Sequence, residues 1–367
     1  MTSRAFESSR LASRIDLPKN LYAMINVEPQ RTSLRAPARL FPDADGVLAP
    51  HPEGLVELTN EAYHSGPGVS KSKLDDISIS PLYYWDQHIN PEREPREYKH
   101  AFAVGDGTHK LVLEPGTFEQ TYAVGFDKRA FPNAIDTVDQ LKQALNALNM
   151  PARGSKPELI RLLQEEDPNA QIMAVLEAQH NASMAGKIAI PAADYKSMLR
   201  MLQAVHRHHT AGGLLYGATV EQSFFWTDSY GVLRKCRTDS ITANGQWIVD
   251  LKTTDDVSEA GFGATIARRR YHVQAAWYLD ILQALYGSDA PRGWAFIAAQ
   301  KSRPHDVAVH YLTEDQIQQG RLLYQRDLAR LIECERTNTW PGVDGGRVIE
   351  ARLPAWASRE AYELEAA

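Results

Sequence analysis

The spacing of apolar positions changes several times along the second half of the chain, and each change predicts an element. VEQSFFWTD, residues 220 to 228, alternates like a strand with Glu221 at its start, and GVLRKCRTD and GQWIVDLKTT supply two more. From residue 267 to 287 the period lengthens, placing Tyr271, Gln274, Tyr278 and Ile281 on one face of a single long helix. Residues 293 to 301 and 307 to 312 return to strand patterning as a hairpin, and 314 to 337 form an amphipathic helix. Upstream, 187 to 209 looks helical, as does 101 to 115, where Gly105 and Gly107 permit close packing and His109 faces inward among Val104, Thr108 and Val112. The order helix, three strands, helix, two strands, helix implies an α/β fold with a central mixed sheet flanked by helices.

Within that pattern one strand is anomalous. WIVDLK reads as a buried strand, yet Asp250 and Lys252 occupy its last three positions, and burying charge there is costly unless it is paired. Two residues apart, they project to one face while Leu251 points into the core. Asp239 precedes the Asn244-Gly245 turn, which folds its segment back antiparallel and brings its carboxylate beside that of Asp250. Two carboxylates and an ammonium thus converge. Hard oxygen ligands suit Mg²⁺ or Mn²⁺, and the lysine is placed to orient or deprotonate a water or to steady charge on a phosphoryl group. The competing reading is a solvated hairpin bearing a surface Asp-Lys pair.

Other candidates are weaker. YHSGPGVSKSKLDDISISPLYYWDQH offers Ser70 or Ser72 as a helix cap or a phosphate contact, and a second helix start at Ser80-Pro81. His206, His208 and His209 lack Cys or His partners at metal-site spacing and read as solvated. Residues 133 to 168 hold two short helices, the first with Val138, Leu141, Leu145 and Leu148 on one side and the second capped from Ser155. Residues 1 to 54 show little periodicity and read as a loosely docked arm.

With 367 residues the chain can bury a large core, and a net charge of -6 means that any nucleic-acid surface is local or metal-assisted. Two cysteines are too few for a disulfide framework, a four-cysteine zinc site or an iron-sulfur cluster, and fit a cytosolic setting. No membrane span or signal peptide is expected.

Taken together, the Gly-Asp-Gly-Thr-His of residues 105 to 109, Glu221, Asp239, VDLKTT and YHVQAAWY resemble the PD-(D/E)xK nuclease superfamily, in its branch with a Q-x-x-x-Y helix. With YHSGPGVSKSKLDDISISPLYY, HKLVLEP, CRTD, RYHVQAAWY and LPAWA added, the chain is similar to the exonuclease VIII family of phage and prophage recombination. Asp250 stands where many superfamily members have Glu. The resemblance implies a restriction-endonuclease-like core over 55 to 132 and 169 to 357, interrupted by the 133 to 168 insertion, which itself resembles SAP-like DNA-binding helix pairs. It makes His109, Asp239, Asp250 and the Leu251 carbonyl metal ligands and Lys252 the water-positioning or activating residue. Glu221 would support a second ion or its waters, and Gln274 and Tyr278 would hold DNA or brace Lys252. It further implies ATP-independent 5′-to-3′ digestion of double-stranded DNA ends in the cytoplasm of a bacterial or phage-infected cell, a ring-like homo-oligomer and a single-strand annealing partner. The alternatives are a nuclease of other polarity, an endonuclease, or an inactive DNA-binding phage protein. In the insertion, Arg153, Lys156 and Arg161 flank the turn and the second helix's start, where phosphate contact is expected.

Overall fold

A computed structural model describes residues 53–94, 100–184 and 186–353. The expected N-terminal arm up to residue 52 and the LPAWA block from residue 354 onward lie outside the described residues. The chain opens with β1 (Gly54–Val56), α1 (Asn60–Ser65), α2 (Lys71–Ile79) and α3 (Pro81–His88). Next come α4 (His100–Leu113), α5 (Phe118–Thr121) and β2 (Tyr122–Val124), then α6 (Val138–Ala147), α7 (Lys156–Glu166) and α8 (Met173–Ser183). β3 (Ile188–Ile190), α9 (Ala192–Arg207) and α10 (His209–Leu215) lead into β4 (Thr219–Thr227), β5 (Leu233–Ile241) and β6 (Trp247–Thr254). α11 (Glu259–Arg268), α12 (Tyr271–Tyr286), β7 (Gly293–Gln300), β8 (Val307–Tyr311) and α13 (Glu314–Thr337) complete the fold.

The main sheet runs β1-β4-β5-β6-β7-β8. Its ladders are antiparallel except β6 on β7, which is parallel and is joined through α11 and α12. A parallel pair inside a sheet is covered on both sides, which is why WIVDLK and GWAFIAAQ are almost continuously apolar. Phe224, Ile248, Trp294 and Phe296 pack with Trp277 and Leu328 in one core, while Val249, Leu251, Ala295 and Ile297 pack with Val112, Met198 and Val205 in the other. Each such buried side chain contributes roughly 1.5–3 kcal/mol relative to exposure. α4 can lie close to α9 because Gly107 has no Cβ, which would meet Met198 Cε at 2.5 Å. Gly105 is under no such constraint.

Two expected helices are divided. Between 267 and 287 the helix breaks at Arg270, which adopts left-handed φ 56° and N-caps α12. Its guanidinium explains the break, donating to Asp75 of α2 at 2.9 Å and to Asp327 of α13. The segment 187 to 209 begins instead as β3, pairing parallel to β2, and becomes helical only after Pro191. Ser80 caps α3 by accepting from Tyr83 N at 3.0 Å, whereas Ser70 occupies the cap position of α2 without a capping bond and meets Ser72 Oγ at 2.9 Å.

The insertion has its own small core of Leu141, Leu145, Leu159, Leu163 and Ile172. Leu148, expected on the apolar face, is 45% exposed. A capping box starts α7 at Ser155, and Ile135 closes the base through bonds with Gln171 and Met173, so the packed unit runs past residue 168. With so few core residues, Leu145→Ala should remove about 2–5 kcal/mol from this unit alone. Hydrogen exchange is expected to rise across α6 and α7 while β5 to β7 keep wild-type protection; loss of protection in the main sheet would show the two cores to be coupled.

Candidate active site

The β5–β6 ladder is short, pairing only Ser240 with Val249 and Ile241 with Ile248 around the Asn244-Gly245 turn. Beyond it the strands part, and the Asp239 side chain takes over from backbone: Asp239 Oδ2 accepts from Leu251 N at 2.9 Å. The fork is where chemistry-bearing residues collect. Lys252 Nζ lies 2.5 Å from Asp250 Oδ2, and Gln274 Nε2 of α12 donates to Asp250 Oδ1 at 2.7 Å. Lys252 also sits 4.9 Å from the Tyr271 ring centroid, a cation–π arrangement. From α4, His109 Nδ1 approaches Asp239 Oδ2 at 3.4 Å, so this histidine faces the site rather than the packing of Thr108 and Val112. Glu221 enters from β4, bound by Arg237 Nε at 2.6 Å.

Burial sets the electrostatics. The Asp250 carboxyl is 1% exposed, and desolvation pushes it up to about 6 despite Lys252. Desolvation and then Asp239 push Glu221 up to about 7, and desolvation also raises Asp239. Burial, then Lys252, bring His109 down to about 4, leaving a neutral imidazole with a free lone pair for a ligand role. Burial alone would lower Lys252, but Asp250 and Asp239 outweigh it and hold the ammonium above its ordinary value. That lysine remains charged at neutral pH. Tyr278, one turn beyond Gln274, is also raised by burial and lines an inner cavity with His109, Glu221 and Asp239.

A divalent cation fits these residues. Ligand atoms of His109, Glu221 and Asp239 lie within 4.8 Å of one another, a nitrogen and oxygen donor set. Beside them, the buried Asp250 Oδ2 is engaged by the Lys252 ammonium at 2.5 Å. Asp250 is thus adjacent to the triad rather than part of it, held by Lys252 and Gln274. Leu251 contributes its backbone between the two acids: its N–H donates to Asp239 Oδ2 and its carbonyl accepts from the His109 ring.

Outside the fork lies a cleft of about 2050 Å³ whose lining includes Lys71, Lys110, Arg237, Arg268, Arg269 and Lys301. None of these six was singled out from sequence as a site residue, although the two-residue spacing of Arg237 from Asp239 puts both on one strand face. Ser70 and Ser72 are not in the cleft lining; Lys71 between them is, donating to Arg269 O at 2.9 Å. The insertion cations are largely spoken for: Lys156 donates to Asp136 O at 2.6 Å and Arg161 to Glu165 Oε1 at 2.8 Å, while Arg153 is exposed. His208 is half-buried rather than solvated, its Nδ1 accepting from Ala211 N as the cap of α10; His206 and His209 are exposed.

A mixed sheet that forks at an acid, followed by D-x-K on the next strand and a helix glutamine on its aspartate, defines a PD-(D/E)xK-type core. The family model described as "PDDEXK-like domain of unknown function (DUF3799)" matches residues 70–348, and the chain belongs to that family. Among solved structures, a Eubacterium rectale protein described as "Putative exonuclease" is similar at 15% identity, with TM-score 0.51, covering 83% of this chain and 98% of that one. At that identity the likeness speaks for the fold. A second, described as SSO0001, shows 16% identity over 52% of this chain and 83% of its own with TM-score 0.23, too low to bear on the fold. No curated protein matches the chain. Among the described residues no helix is long and apolar enough to cross a membrane.

Proposed function

We propose that this PDDEXK-like protein is a metal-dependent, ATP-independent exonuclease of double-stranded DNA. The observation that carries the reading is the fork itself: Asp239, Asp250, His109 and a charged Lys252 gathered beside a cation-lined cleft in a chain of net charge -6. Cations lining a cleft are what a phosphate backbone needs.

His109, Asp239 and Glu221, whose donor atoms converge, would hold Mg²⁺ or Mn²⁺, and Asp250 and the Leu251 carbonyl, which the resemblance adds as ligands, lie beside them, Asp250 joining where it gives up Lys252 or Gln274. Bound there, the ion would supply Lewis acidity toward a phosphoryl oxygen and a lowered pKa for a bound water. Lys252, paired with Asp250, is placed to position or activate that water and to offset charge on the phosphoryl oxygens. Gln274 fixes the Asp250 carboxylate, and the Tyr271 ring faces the Lys252 ammonium. Lys71, Arg268, Arg269 and Lys301 contact the DNA backbone across the cleft. The resemblance to exonuclease VIII supports the finer reading: 5′-to-3′ polarity, overhangs for strand annealing, an annealing partner and a ring of subunits.

For the insertion, the internal pairing of Lys156 and Arg161 leaves Arg153 as the cation freest to meet phosphate. Digestion of linear against covalently closed duplex tests the main reading. Linear DNA should be consumed with Mg²⁺, closed circles should persist, and a chelator should stop the reaction. Nicking or linearisation of the circles would replace the exonuclease reading with an endonuclease.

A further inference from the structure

Glu221 stands across from Asp239 in the β4–β5 ladder, because Val220 pairs with Ser240 and Gln222 with Thr238. It holds φ 52°, a left-handed conformation that a side chain bearing Cβ avoids unless its surroundings impose it. Arg237 holds the Glu221 carboxylate in that arrangement. Its guanidinium donates to Glu221 Oε2 at 2.6 Å, to Ser223 Oγ at 2.7 Å and to Leu58 O at 3.0 Å. Only 11% of the side chain is exposed, and it lines both the outer cleft and the inner cavity. A planar fork satisfied by three fixed acceptors is a built-in charge, not a wandering surface arginine.

The charges of the fork then decide how many ions it takes. Three carboxylates, Glu221, Asp239 and Asp250, face two fixed cations, Arg237 and Lys252, so the cluster carries a formal charge of about -1 before any ion binds. One divalent cation is readily matched by that set; a second would leave a strong excess of positive charge in a buried site. Paired ions in phosphodiesterases sit about 3.5–4 Å apart and share their carboxylates. Here Glu221 already shares the one converging donor set with His109 and Asp239, and one of its oxygens is engaged by a guanidinium, so no further unshared carboxylate on this side of the fork remains for a second ion.

We propose that Arg237 takes the place of a second metal ion: the centre binds one divalent cation, and the fixed guanidinium supplies the other positive charge on the β4 side of the fork. The inference deepens the nuclease reading and rests on it. Arg237 is a positioning residue here, acting through Glu221.

Mn²⁺ binding to the full chain, counted from the paramagnetic resonance of free Mn²⁺, tests it for the unsubstituted protein, Arg237→Lys and Arg237→Gln, with thermal melting to confirm folding. One ion is expected for the first two and a second, weaker ion for Arg237→Gln. Two ions on the unsubstituted protein, or one ion on all three, would overturn the inference and leave the nuclease reading standing. No ion on the unsubstituted protein would overturn both. Should Arg237→Gln fail to fold, Arg237→Met, which also removes the charge, is counted in its place, again with a second ion expected.

Discussion

Asp239→Asn is expected to lower DNA hydrolysis by at least about 10³-fold while changing the melting temperature little, because one substituted atom removes a ligand charge but keeps the acceptor for Leu251 N. The corresponding change at Asp250 has to be chosen with more care. Truncation to Ala would strand a largely buried Lys252 ammonium and free Gln274 Nε2, and removing one partner of a buried pair costs about 3–5 kcal/mol. Asp250→Asn keeps the shape and the Gln274 bond. It should lose activity to a similar degree with a smaller loss of stability than Asp250→Ala. Mg²⁺-dependent release of nucleotides, read beside thermal melting, separates the two effects; near-normal turnover in Asp239→Asn would remove these acids from the chemistry.

Lys252 carries the second large effect. Lys252→Ala should reduce turnover by at least about 10²-fold, as expected for loss of a charge-stabilising group, with cation binding retained or tightened because a neighbouring positive charge is gone. Lys252→Arg keeps the charge but must fit a planar fork between Asp250, 2.5 Å away, and the Tyr271 ring at 4.9 Å. It should therefore also be poor. Single-turnover rates at saturating Mg²⁺ measure the chemical step directly. Wild-type rates in both variants would reduce Lys252 to a structural counter-ion of Asp250.

Much of the fork is legible in the sequence. Period two places Asp250 and Lys252 on one face, and the Asn244-Gly245 turn fixes which residues of β5 meet β6, so Asp239 had one destination. Three- and four-residue spacing likewise aimed Gln274 and Tyr278 at the same point. Arg237 was less legible because its partner lies on another strand: its bond to Glu221 depends on the β4 register and on a left-handed residue, neither of which local pattern encodes. The cleft cations Arg268 and Arg269 depend on the break at Arg270, set by Asp75 and Asp327 from helices far along the chain. An uninterrupted apolar period through that segment hid the break. For the insertion, patterning gave the helices and the Ser155 cap, but placed Leu148 inside and ended the unit before Ile172 closed its base.

The central claim is that this fork is a cation-dependent nuclease centre, and digestion of end-labelled linear duplex with no nucleotide cofactor addresses it most directly. With Mg²⁺ the unsubstituted protein should release label progressively from the 5′ ends, leave the complementary strand long, and stop when the ion is chelated. Digestion that continues unchanged in chelator, or intact duplex after incubation with folded protein shown to bind the ion, would contradict the account.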